Sequence, residues 1–144
     1  MSVIIDPARA GVRITVLVDN IAGSATLAAE HGFALWIEAH GLRILFDTGQ
    51  GAALERNVAA LGIDLAAADH VVLSHGHYDH TGAVAPALAA APHAHVWAHP
   101  DVRCERYSVR EGVAKPIHAP RPVVRLLDNL PRERMRWVTA PCRL

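Results

Sequence analysis

A chain of 144 residues is long enough for one domain and short for two. Its 14 Lys and Arg balance 14 Asp and Glu with histidine neutral, so it has no general electrostatic pull on nucleic acid or on an anionic membrane. Hydrophobic residues at 51% exclude disorder by composition and supply a core.

The first segment, Met1 to Pro7, lacks a basic n-region and its apolar run breaks at Asp6, which argues against a signal peptide. Val12 to Asp19 is alternating and β-branched and predicts a strand. Asn20 to Glu30 is small and polar with an apolar centre, hence a loop or a short helical turn. Phe33 to Ala39 and Leu42 to Phe46 flank His40-Gly41, the pattern of a β-hairpin. After Asp47-Thr48-Gly49, Leu54, Val58 and Leu61 fall at helical spacing, and Gly62 stops that helix. His70 to Ser74 is a short buried strand. Ala83 to Ala91 is an alanine-rich helix halted by Pro92. His95 to Ala98 is a strand, and Asp101 to Tyr107 is expected as a helix. Gly112 to Pro122, with three prolines, predicts an irregular surface loop. Val123 to Leu127 and Arg136 to Thr139 are weaker strand candidates. Hairpins followed by strand–helix alternation predict an α/β (α+β) fold, a mixed sheet with helices on one face.

Cys104 and Cys142 lie far apart, so no disulfide framework is expected and a reducing, cytoplasmic setting is the simpler reading. No stretch is apolar enough for a transmembrane helix. The composition instead stands out for 10 histidines against 2 Tyr and 2 Phe. Histidine is the commonest metal ligand and the usual acid or base near neutral pH.

Four of the ligand-capable side chains fall in Ser74-His75-Gly76-His77-Tyr78-Asp79-His80-Thr81-Gly82, directly after a buried strand. In an extended segment His75, His77 and Asp79 project to one side, and His80 follows on a turn. Imidazole and carboxylate suit zinc, iron or manganese, and no thiolate is near. A lone histidine in such a place most often faces water, but four ligands at this spacing are not explained that way. Their place at a strand's carboxyl end is also the usual one for sites in α/β folds.

The run His75-x-His77-x-Asp79-His80 resembles the HxHxDH signature of the metallo-β-lactamase superfamily, and Asp47-Thr48-Gly49 resembles its DTG turn. Leu17 to Asn20, Glu30 to Gly32, Ile44 to Gln50, Leu61 to Asp64, Ser74 to Gly82 and His99-Pro100 resemble one branch more closely. That branch is labelled 7,8-dihydropterin-6-methyl-4-(β-D-ribofuranosyl)aminobenzene 5′-phosphate synthase-like, and most of its members are called MBL-fold metallo-hydrolases. The resemblance covers most of Val12 to Tyr107. It implies the N-terminal half of a four-layer αββα sandwich. It implies that His75 and His77 bind a first metal and that Asp79 and His80 bind a second. Asp79 would also orient the nucleophilic water, and Asp47 would steady the loop and a ligand by hydrogen bonds. Two divalent ions about 3.5–4 Å apart, zinc first and iron or manganese as alternatives, would acidify that water and polarise the bond to be cut. Hydrolysis of an ester, amide, thioester or phosphate bond follows, with a small molecule as substrate.

Two metals want about six ligands and the motif offers four. In the family the others come from further along the chain, so this chain reads as a single, truncated domain over residues 1–144 that ends in a strand-like segment. His93, His95, His99, His118, Asp101 and Asp128 could be substitutes, but each reads more simply as structural or surface. His31 and His40, beside glycines in turns, are given no role. Half a sandwich would expose an apolar sheet face, which predicts instability, dimerisation through that face, or a chain that is part of a longer product. The competing readings are an inactive fragment lacking the downstream ligands, a synthase-like transferase, and an iron oxidoreductase with a fused partner. A nuclease is disfavoured by the neutral charge and the lack of a basic patch.

Overall fold

In the computed structural model, which describes residues 11–142 and residue 144, the chain begins with an antiparallel meander. Strand β1 (Val12–Val18) pairs with β2 (Ala34–Ala39), and β2 pairs with β3 (Leu42–Phe46). His40 and Gly41, at φ 52° and 86°, make the type I′ turn that suits the twist of a two-residue hairpin. The reading of Met1 to Pro7 lies outside the described residues.

From β3 onward the pairing is parallel. Strands β4 (His70–Leu73), β5 (His95–Ala98) and β8 (Met135–Trp137) complete a six-stranded mixed sheet in the order β1-β2-β3-β4-β5-β8. Helix α1 (Leu54–Ala60) links β3 to β4. It ends in a Schellman pattern, with Gly62 N–H donating to the Ala59 carbonyl and Ile63 N–H to that of Val58. A helical turn, α2 (Tyr78–Thr81), and helix α3 (Val84–Ala90) link β4 to β5.

Alternation along each strand decides what is buried. Val71, Leu73, Val96 and Ala98 point inward, and the parallel register sets Leu45, Val71, Val96 and Met135 side by side. Helices α1 and α3 cover this face with Leu54, Val58, Val84 and Leu88, and α4 (Arg121–Asp128) adds Val123 and Leu127. The other face carries rows from neighbouring strands: Val12-Ala39-Leu42, Ile14-Ile37-Ile44 and Val16-Leu35-Phe46. Its edge is open, with Val12, Ile14 and Val16 exposed by 59%, 58% and 49%.

Three sequence expectations are corrected. Asp101 to Tyr107 is not a helix: a 3-10 turn spans Pro100–Arg103, and Tyr107 already begins strand β6 (Tyr107–Arg110). Gly112 to Pro122 is not an irregular loop, because β7 (Val113–Pro116) pairs antiparallel with β6. Glu111 and Gly112, at φ 50° and 78°, form its type I′ turn; glycine takes the second position without the Cβ penalty of positive φ. Val123 to Leu127 is helical, since Pro122 suits a helix's first turn and Val123 and Leu127 recur on one buried face.

Candidate functional site

Strand β4 delivers the chain to the sheet's carboxyl edge at Leu73, and the histidine-rich segment begins there. Gly76 passes so close to the Val102 backbone that a Cβ would overlap its carbonyl. His77 stays extended at φ −88°, ψ 150° and caps α2, its carbonyl accepting from Thr81 Oγ1 at 2.8 Å. Asp79 and His80 therefore sit within a helical turn. The alternating projection expected through Asp79 stops at His77, because the turn rotates the carboxylate by helical rather than extended geometry.

The rings nevertheless gather. The His75 and His77 centroids are 4.4 Å apart, and those of His75 and His80 are 4.1 Å apart. Asp79 Oδ2 lies 3.8 Å from His80 Nε2 and 3.3 Å from His31 Nε2.

Beneath the cluster is Asp47, with no exposed surface, in a left-handed conformation at φ 56°. One carboxylate oxygen accepts from Ser74 N–H at 2.8 Å. The other accepts from Ser74 Oγ at 2.6 Å and lies 2.8 Å from His80 Nδ1. Ser74 Oγ is also 2.9 Å from His75 Nδ1. Both Nδ1 atoms are thus engaged from below, which leaves the Nε2 atoms of His75 and His80 as the nitrogens free to ligate. Burial, and then the neighbouring His80 and His77 rings, push the His75 imidazole below its ordinary pKa against the opposing pull of Asp47 and Asp79. A neutral imidazole is the form that binds metal.

Three imidazoles and a carboxylate are the donor set of a borderline divalent ion, so the residues fit such an ion chemically. Among the described residues, however, no three or more His, Cys, Asp or Glu side chains close around one point as a finished cage.

Other expected substitutes have structural work. His99 Nδ1 accepts the Asp101 N–H at 3.1 Å, Asp128 pairs with Arg103 at 3.0 Å, and the Tyr107 ring lies 5.7 Å from that of His118. His95 lies against His70 with centroids 5.8 Å apart, while the Trp97 indole N–H donates to His70 Nδ1 at 3.0 Å. His93 is exposed. Two residues near the site escaped the sequence reading. His31, given no role there, stands against Asp79. Glu30 accepts four backbone N–H bonds, from Gln50, Gly51, Ala52 and Ala53, and so anchors the loop after Asp47. Both contacts bridge segments distant in sequence, and neither has a local spacing that announces it.

A sequence profile of the metallo-beta-lactamase superfamily matches residues 28–140. The chain is 46% identical over 67 residues to an uncharacterized protein of Methanocaldococcus jannaschii, a match covering 46% of this chain and 26% of that one. It is 36% identical over 77 residues to the 7,8-dihydropterin-6-methyl-4-(beta-D-ribofuranosyl)-aminobenzene-5'-phosphate synthase of the same organism, covering 49% of this chain and 26% of that one. The matched part is thus about a quarter of either curated relative. Among solved structures, MEM-A1, a subclass B3 metallo-beta-lactamase isolated from a soil metagenome library, superposes with a TM-score of 0.51 at 19% identity. That match covers 84% of this chain and 47% of that one and shows a shared fold.

Proposed function

Because this chain belongs to the metallo-β-lactamase superfamily, whose members are largely hydrolytic, we propose that it is a metal-dependent hydrolase. The observation that carries this reading is the gathering of His75, His77 and His80 with Asp79 over the buried Asp47. His75 and His77 would hold one divalent ion, and Asp79 and His80 a second, with zinc first and iron or manganese as alternatives. A bound pair supplies an acidified water and polarises the electrophilic oxygen of an ester, amide or phosphate bond.

This chain's own residues do the rest. Asp47 fixes the His80 ring by its Nδ1 and holds Ser74, which in turn meets His75. Asp79 orients the attacking water, and His31 beside it restrains the carboxylate. The substrate is a small molecule; the balanced charge disfavours nucleic acid. Cys104 and Cys142 are free and exposed, which suits a reducing cytoplasm. No helix among the described residues is long and apolar enough to cross a membrane.

A second reading, transfer rather than hydrolysis, is favoured by the 36% identity to the pterin-branch synthase. Incubation of the zinc-loaded chain with generic nitrophenyl esters and phosphodiesters tests the first. Turnover is expected, with Asp79→Asn lowering kcat by about 100-fold or more. Bound metal without turnover would reject hydrolysis, and conversion of the pterin substrate in its place would establish transfer. Neither metal binding nor turnover would leave an inactive fragment.

A further inference from the structure

Three successive residues, Glu30, His31 and Gly32, tie the loop after Asp47 to the histidine loop. The Glu30 carboxylate accepts its four backbone N–H bonds from the first of these loops. Gly32 lies flat against the second: a Cβ there would overlap the Asp79 carbonyl oxygen. The next residue, Phe33, donates its N–H to that same carbonyl at 3.2 Å, and its own carbonyl accepts from Gly49 N–H at 3.0 Å. The segment is therefore held in register with Asp79 by its backbone on one side of His31 and by a carboxylate on the other.

From that register the His31 ring reaches the Asp79 side chain. Its Nε2 lies 3.3 Å from Asp79 Oδ2, and its Nδ1 lies 3.1 Å from Asn20 Oδ1. Asn20 is placed by Glu30 too, whose N–H donates to the neighbouring Asp19 carbonyl at 3.2 Å. A side-chain amide carries both a donor and an acceptor, so Asn20 can meet Nδ1 in either tautomer and leave Nε2–H for the carboxylate. The oxygen that His31 touches is also the one turned to His80, with Nε2 of His80 at 3.8 Å. Holding Oδ2 fixes the rotation of the carboxylate against that ring. The His31 side chain is 65% exposed, so it adds little to the core, and a surface ion pair of this kind adds little to stability.

We infer that His31 is a positioning residue of the metal centre: braced by Asn20 and seated by Glu30 and Gly32, it sets the rotation of the Asp79 carboxylate toward His80. An outer partner that orients a ligating carboxylate raises metal affinity without touching the metal. This assignment deepens the hydrolase reading and rests on it for Asp79 and His80 as ligands.

Zinc titration of the chelator-treated full chain by calorimetry, with the visible spectrum of the cobalt form as a second readout, tests this. His31→Ala should weaken zinc binding about tenfold and shift the cobalt bands, because the carboxylate loses its outer partner. Thermal unfolding of the metal-free chain should stay unchanged for so exposed a side chain. His31→Gln, which can still donate to Asp79, should restore most of the affinity, and His93→Ala, at another exposed histidine, should leave it unchanged. In an Asp79→Ala background His31→Ala should have no further effect, since the two act as one unit. Equal zinc affinity and an equal cobalt spectrum in wild type and His31→Ala overturn the inference, and so does a loss that persists in the Asp79→Ala background. Affinity lost in His31→Ala, in a chain that cleaves no ester, would reject hydrolysis and leave the positioning role standing. A wild type that takes up no zinc would overturn both.

Discussion

A carboxylate with no exposed surface has to satisfy both oxygens inside the protein, and Asp47 does so on Ser74 and His80. Asp47→Ala removes these acceptors from the part-buried Ser74 N–H and His80 imidazole, at a cost of about 1 kcal/mol for each group. Asp47→Asn keeps the shape and tolerates the left-handed backbone, so urea unfolding should show a smaller loss. The charged acceptor is gone in both variants, and zinc affinity should fall about 10–100-fold. Two histidines set a pH dependence. Burial and then the neighbouring His95 hold His70 below its ordinary pKa, with Asp69 opposing, and His75 is lowered as well. The unfolded chain then binds more protons than the folded one between the lowered values and about 6.5. Stability of the metal-free chain should therefore rise with pH through that window and be lost as pH falls through it. The Trp97 indole reinforces this sign, because its N–H needs an unprotonated His70 Nδ1. Urea midpoints between mildly acid and neutral pH should show a shallower slope for His70→Gln; an unchanged slope would remove His70 from this account.

Two glycines separate close approach from backbone conformation. Gly76→Ala drives a Cβ into the Val102 carbonyl and should cost about 1–3 kcal/mol by thermal unfolding, with disturbance of the histidine loop. Gly112→Ala meets no atom within contact range and bears only the penalty of φ 78°, about 1 kcal/mol. Equal losses would contradict the packing of Gly76 on the 3-10 turn. At this scale the sequence was legible wherever periodicity and turn chemistry agreed, as in the His40-Gly41 hairpin and the helix ending at Gly62. It misled where one cue was read alone. Val123 to Leu127 is β-branched at its start, yet Pro122 and the buried Val123–Leu127 spacing mark a helix. The prolines around Pro116 to Pro122 hid a short hairpin whose turn is only Glu111-Gly112. In the metal motif the residue types were plain, but the switch from extended chain to helix at His77 was not, because the capping carbonyl of His77 has no side-chain signature.

Among the described residues the sheet has one covered face and one open one. The mixed sheet and the one-sided helices followed from the order of the elements. The long-range contacts that finish the site, Glu30 to the loop after Asp47 and His31 to Asp79, depend on that assembly and had no local sign. The rows that begin at Val12, Ile14 and Val16 continue across β2 and β3 without a charged residue. Over these three strands, spaced about 4.8 Å apart, the face is an exposed apolar patch of the kind that marks a contact surface, while His70, His95 and Arg136 make its continuation on β4, β5 and β8 polar. Sedimentation velocity should show a dimer, and Ile14→Asp should dissolve it; a monomeric wild type would contradict self-association through this face. The loop from His75 to His80 is expected to hold divalent metal. Zinc titration of the chelator-treated chain, read by calorimetry on wild type and on His75→Ala, His77→Ala, Asp79→Ala and His80→Ala, checks this. Tight binding in the wild type, weakened in every variant, is the result expected; absent binding, or affinity unchanged across the four, would contradict it.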